Sequence, residues 1–204
     1  MKLMKERDFL NSLDLRYENI SDERKKELQA LSSGINDAIK TKGQATVKFI
    51  CTHNSRRSQA AEFLLDVLAR KKSLPILSLS GGTEYTAFYP TMVEAIQTFG
   101  FEILKYGHDK NPLYIYRVKN NDLYYFSKVY NNDIIKVEDP IIVTVCHSAK
   151  ENCPIIPGTY KRFHIGYEDP KYSDGSKEEL DVYKKKVLEI GTEMAYLSSL
   201  ISEN

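Results

Sequence analysis

The chain has 204 residues, 42% hydrophobic and 28% charged, and its 29 Lys and Arg against 28 Asp and Glu leave a formal net charge of +1. That is the size and balance of one ordinary globular domain with a real core. It excludes an overall basic field for nucleic acid and an acidic excess of the disordered kind. No stretch reaches the roughly 18–20 unbroken apolar residues of a membrane span. The first residues, Met1 to Arg7, lack the apolar run of a signal peptide, so the expectation is a cytoplasmic protein with no membrane and no nucleic-acid partner.

In chain order, residues 1–45 are strongly charged and read as a helical extension on a main domain at 46–204. Ser21 can cap a helix from Asp22 to about Lys42, with Leu28, Leu31, Ile35, Ala38 and Ile39 on one face and Gly43 as the stop. From Thr46 onward strands and helices alternate. Thr46–Ile50, Ile76–Ser80, Phe101–Leu104, Ile141–Val145 and Arg162–Ile165 read as strands. Gln59 to about Lys71, a helix opened by Pro90 and ended by Gly100, and a long helix from about Lys177 to Ile201 lie among them. This alternation predicts an α/β fold: an open parallel sheet with helices on both faces. Leu113–Tyr130 breaks the pattern and reads as an inserted, tyrosine-rich antiparallel hairpin with a polar turn at KNND, more suited to packing an edge than to recognition.

The strand Thr46–Ile50 runs into Cys51-Thr52-His53-Asn54-Ser55-Arg56-Arg57-Ser58, and a helix follows. A loop wrapped before a helix N-terminus turns its backbone N–H groups toward one point, where they and the helix dipole bind a tetrahedral oxyanion. The same field lowers the pKa of a thiol at the loop mouth, which makes Cys51 a nucleophile. Arg57 can fork onto two oxygens of the anion and of the transition state. Ser58 can donate to the thiolate.

Two further cysteines, Cys146 and Cys153, leave the C-terminal end of the strand Ile141–Val145. That is the sheet edge where ligands bind in open α/β folds, and Cys51 emerges at the same edge. Three thiols are too few and too odd for a secreted disulfide framework. The spacing of Cys146 and Cys153, taken with His147 and His164, is not that of a zinc knuckle, so no metal is expected. Buried structural thiols are the plain alternative.

CTHNSRRSQAAE resembles the catalytic loop of the low-molecular-weight tyrosine phosphatase fold, and VTVCHSAKENCPIIPGTYKRFHIGYEDP resembles the thioredoxin-coupled arsenate reductases that share that fold. The likeness covers about 46–112 and 139–202. It implies that Cys51 is the nucleophile, Arg57 the oxyanion clamp, Asn54 the keeper of loop shape, Ser58 the tuner of the thiolate and Asp169, before Pro170 and close to Tyr172, the general acid. Thr52, His53, Ser55 and Arg56 complete the oxyanion loop. His53 stands where a small residue is usual and Arg56 where many of the reductases have a further cysteine. The likeness further implies a relay in which Cys146 attacks Cys51, Cys153 attacks Cys146, and thioredoxin reduces the resulting disulfide. No tightly bound cofactor is implied. A structural monovalent cation near Asn54, Glu62 and Ser80 is a possibility the family carries. Three readings result: reduction of arsenate to arsenite; hydrolysis of phosphotyrosine or a small phosphoester through a phosphocysteine; and a non-catalytic oxyanion or redox sensor.

Overall fold

The computed structural model describes residues 4–108, 110–118, 121–146 and 159–202. Lys119 and Asn120, where the sequence reads as a turn, and the segment 147–158 with His147 and Cys153, lie outside the described residues. Among those described, no helix is long and apolar enough to cross a membrane.

The chain opens with helix α1 (Glu6–Leu13), a 3-10 turn (Asp14–Asn19) and α2 (Asp22–Lys42). The cap signals around α2 act as their chemistry dictates. Ser21 Oγ accepts from the Arg24 N–H at 3.2 Å, and Gly43 ends the helix in the left-handed region at φ 76°, a conformation that costs glycine least. Phe9, Leu10 and Leu13 of α1 and Leu28, Leu31 and Ile35 of α2 join the same buried cluster as the sheet. The sequence pattern alone did not reveal α1.

Strands β1 (Ala45–Cys51), β2 (Ile76–Gly82), β6 (Ile141–Thr144) and β7 (Lys161–His164) form one parallel sheet in the order β2-β1-β6-β7. Helices α3 (Arg57–Lys71), α4 (Pro90–Thr98) and α5 (Glu179–Ser199) complete the α/β architecture. In β1 and β6 nearly every position is buried, as expected of interior parallel strands. The register pairs Ile50 with both Gly81 and Thr144, so the residues that follow β1 and β6 leave the sheet side by side.

The inserted region differs from the sequence reading in two ways. Strand β3 (Ile103–Tyr106) pairs antiparallel with β4 (Leu113–Val118), which pairs with β5 (Asn121–Tyr125), giving a separate three-stranded sheet. Phe101–Leu104 therefore does not extend the parallel sheet. The hairpin also ends at Tyr125. Val118 already faces Asn121, so Asn121 and Asp122 belong to a strand and not to the turn. The remainder, Phe126–Tyr130, turns back to β2, where the Gly82 N–H donates to Lys128 O at 2.9 Å and the Tyr130 N–H to Gly82 O at 2.8 Å. The glycine before Gly82 allows this approach: a Cβ on Gly81 would stand 2.6 Å from Tyr130 Cα and 3.0 Å from Tyr130 N. The hairpin's inward face packs on the domain. Rings of Tyr116 and Tyr125 each meet Phe63 at 5.2 Å, a geometry that adds to area burial.

Candidate active site

Cys51 ends β1, Arg57 begins α3, and the residues between them wrap one point. Every carbonyl from Cys51 to Arg56 is drawn outward by a donor outside the loop centre. Thr83 N–H donates to Cys51 O, Glu84 N–H to Thr52 O, Tyr89 N–H to Ser55 O and Ala60 N–H to Arg56 O. Ser127 Oγ donates to His53 O at 3.1 Å and Gln59 Nε2 to Asn54 O at 3.3 Å. Because a trans peptide sets each N–H opposite the preceding C=O, the N–H groups of 52–57 face the centre. That is the concave nest that binds anions.

The loop's floor is a buried hydrogen-bond network. Asn54 sits at φ 45°, a region asparagine tolerates better than most residues. Its N–H donates to Cys51 Sγ at 3.1 Å. Its side-chain amide donates to Ser58 Oγ at 3.0 Å and Ser80 Oγ at 2.7 Å. Its amide oxygen accepts from the Lys128 N–H at 2.8 Å. Ser58 Oγ lies 3.0 Å from Cys51 Sγ. Ser80 donates to Glu62, and Lys128 Nζ stands 3.4 Å from Glu62 Oε2, with both side chains almost wholly buried.

This arrangement corrects the cation expectation. Asn54, Ser80 and Glu62 do converge, but the Lys128 ammonium already provides the positive charge. Asn54 Oδ1, Ser80 Oγ and Glu62 Oε2 are each engaged by protein donors, so the set is a poor fit for a monovalent ion. Ser127 and Lys128, which no nearby motif marks, come from the inserted region.

At the mouth, Arg57 pairs with Asp169 and its Nη1 donates to Tyr167 O at 2.9 Å. Asp169 caps the short 3-10 turn Pro170–Ser173, where its Oδ1 accepts from the Lys171 N–H at 3.1 Å. Tyr172 is exposed. Arg56, grouped with the oxyanion residues by sequence, is held otherwise. It donates to the Tyr183 hydroxyl and to Asp174, each at 2.5 Å, with its guanidinium 3.9 Å from the Tyr89 ring. His53 points along the rim, 3.7 Å from Glu84 Oε2.

With Arg57 on Asp169, the cavity at Cys51 is about 10 Å³, close to the room one water needs. In this closed arrangement burial pushes the Cys51 thiol up, the opposite sense to that expected of the loop's field, against the hydrogen bond from Ser58, the charge of Arg57 and the Asn54 N–H, which pull it down.

Cys146 lies just past β6, buried, with Sγ 3.7 Å from Thr52 Oγ1. The neighbouring Cys146 further disfavours the Cys51 thiolate, as two close ionisable thiols must. The third thiol, Cys153, is outside the described residues. His164 Nδ1 lies 2.9 Å from Thr144 Oγ1.

No protein-family model matches the chain. Over 133 residues it is 32% identical to arsenate reductase 1 of Staphylococcus saprophyticus, covering 65% of this chain and 83% of that protein. It is 31% identical, over the same shares, to arsenate reductase of Staphylococcus aureus. Its fold is that of a low-molecular-weight protein tyrosine phosphatase from T. tengcongensis (TM-score 0.53, 22% identity, 76% of this chain and 97% of that one). A second such phosphatase, from Vibrio cholerae, aligns at TM-score 0.52 and 19% identity over 76% and 95% of the two chains. By this sequence match the chain belongs to the arsenate reductase family, and its fold is that of the low-molecular-weight protein tyrosine phosphatases.

Proposed function

We propose that the protein reduces arsenate to arsenite. The observation that carries this reading is the second thiol: Cys146 emerges beside Cys51 on the adjacent strand, with its sulfur against Thr52 of the oxyanion loop. A hydrolase needs no such group.

The reaction runs as follows. Arg57 leaves Asp169 and forks onto two arsenate oxygens while the loop N–H groups take the others. The Cys51 thiol passes its proton to a bound arsenate oxygen as Sγ attacks arsenic, and Asp169, freed from Arg57 and protonated, gives its proton to the As–OH oxygen that departs as water. Cys146, as thiolate, then attacks Cys51 Sγ. The S–As bond breaks, its electron pair stays on arsenic, and arsenic(V) leaves as arsenite while a Cys51–Cys146 disulfide forms. Cys153 attacks Cys146, frees Cys51 and leaves Cys146–Cys153, which a thioredoxin dithiol reduces.

The test is arsenate-dependent NADPH oxidation with thioredoxin and thioredoxin reductase. Wild type should turn over, Cys146→Ala and Cys153→Ala should not, and Cys153→Ala should accumulate the Cys51–Cys146 disulfide by mass. Turnover that persists without Cys146 would remove the relay.

A second reading has its own observation. A groove of about 660 Å³ opens beside the loop, lined by His53, Tyr85, Tyr89, Lys110 and Lys171, far larger than a bare oxyanion. It suits an aryl phosphate whose phosphoryl group enters the loop. Cys51-dependent hydrolysis of such an ester that is indifferent to Cys146 and Cys153 would favour it.

A further inference from the structure

The acid loop is seated by a buried cluster on the side away from the oxyanion. Arg24 of α2 donates from Nη2 to Gly166 O at 2.5 Å. Its Nε lies 3.2 Å from Glu193 Oε1 of α5. Tyr167, 1% exposed, donates its hydroxyl to Glu193 Oε2 at 2.7 Å and lies under the Arg24 guanidinium at 5.5 Å. The backbone of the same tyrosine works on the catalytic side. Its carbonyl receives Arg57 Nη1, and its N–H donates to Val145 O at 3.1 Å, one residue before Cys146. Asp169 follows two positions later.

We propose that Arg24, Tyr167 and Glu193 are positioning residues that seat the acid loop, so that helix α2 of the N-terminal region sets where Asp169 and Arg57 meet the substrate. The inference rests on the reading that Asp169 and Arg57 serve Cys51. The cluster touches no reacting atom; it acts through Tyr167, whose ring it locks and whose backbone holds the clamp.

The cluster is also a proton site with an exit. Beside it lies a cavity of about 530 Å³ lined by Arg16, Arg24, Lys185, Glu189 and Glu193. Burial pushes the Glu193 carboxyl up to about 7, opposed by Arg24 and the Tyr167 hydroxyl and assisted by Glu189 and Glu27. These groups, with Arg16 of the 3-10 turn and Lys185 of α5, are the charges facing it. A carboxyl whose seated pKa lies above its free value favours the seat while it holds its proton, so the seat is tightest below about pH 7 and loosens as the buried carboxylate forms above it. Activity should therefore gain a limb falling through about pH 7.

The experiment is a double-mutant cycle in the full chain. Arg24→Met, Glu193→Gln and Tyr167→Phe are each made with Asp169 and with Asp169→Asn. Profiles of kcat/KM against pH are taken with arsenate in the coupled assay and with an aryl phosphate. Arg24→Met and Tyr167→Phe should lower kcat/KM about tenfold with Asp169 present, as misplaced catalytic groups do, and less than about twofold in the Asp169→Asn background. Glu193→Gln should remove the limb near pH 7. Equal losses in both backgrounds, or a limb that survives Glu193→Gln, would overturn the proposal. If wild type turns over neither substrate, the functional reading has failed separately. Hydrogen exchange at residues 166–171 then decides: faster exchange in Arg24→Met supports the seat, and unchanged exchange overturns it.

Discussion

The floor and the mouth of the oxyanion loop are held by different physics. Asn54, Ser58, Ser80, Glu62 and Lys128 are all buried and mutually hydrogen-bonded. At the mouth, Arg57 meets an Asp169 whose side chain is 38% exposed. Low dielectric strengthens the floor's bonds and makes each unpaired member costly. The mouth's ion pair is screened and weak enough to exchange for an incoming anion. On the proposed reading, the contrast separates a preorganised part from a moving one: the nest is set before substrate arrives, and Arg57 is the part that moves.

Four measurements would sharpen that contrast or break it. Cys51→Ser, at the meeting point of floor and mouth, should lower turnover by about 10⁴-fold or more, since a nucleophile has no substitute. Survival of turnover would dissolve the comparison altogether.

Next in size is the floor. Lys128→Met leaves Glu62 buried without its counter-charge and should cost about 3 kcal/mol of stability. Burial already pushes the Glu62 carboxyl up, with Lys128 holding it down. Without Lys128 it rises further, so at higher pH the folded state must keep a proton that the unfolded state has released. Thermal melts should show a larger loss at pH 8 than at pH 5.5. Equal losses would mean that Glu62 is not the group Lys128 serves.

The mouth should yield less. Asp169→Asn should reduce turnover about 10²-fold, the usual share of a general acid, with the melting temperature barely moved. A large fall in stability instead would place Asp169 with the floor. The smallest effect expected is none at all: exchanging potassium for sodium at constant ionic strength should leave wild-type rates unchanged, because Lys128 supplies the buried positive charge.

The parts legible in the sequence are those whose signals are local. The cap at Ser21, the stop at Gly43 and the Cys51–Ser58 loop between a strand and a helix are each contiguous, and the folded chain keeps them in place. The side-by-side exit of Cys51 and Cys146 follows from parallel pairing of two apolar strands. What was illegible is long-range. Lys128 meets Asn54 across 74 positions, and nothing in FSKVY marks a lysine bound for burial. Arg56 and Arg57 are neighbours of one type; only Tyr183 of the C-terminal helix and Asp174, just after the 3-10 turn that follows Asp169, hold the Arg56 side chain apart from that of Arg57. The direction of the Cys51 shift depends on how dry the closed loop is, which no motif encodes.

The return of Phe126–Tyr130 to Gly82 has a consequence for anyone shortening this chain. The hairpin looks dispensable, a decoration to trim toward the compact length of a minimal phosphatase. Its trailing leg, however, supplies the donors on His53 O and Asn54 Oδ1 and the ammonium on Glu62. A deletion could spare every residue of the signature loop and still produce a protein that folds its sheet and binds no anion. A viable minimal version must keep residues 127–130 grafted beside β2, because an uncharged side chain at Glu62 removes the need for the ammonium but not for the donors on His53 O and Asn54 Oδ1.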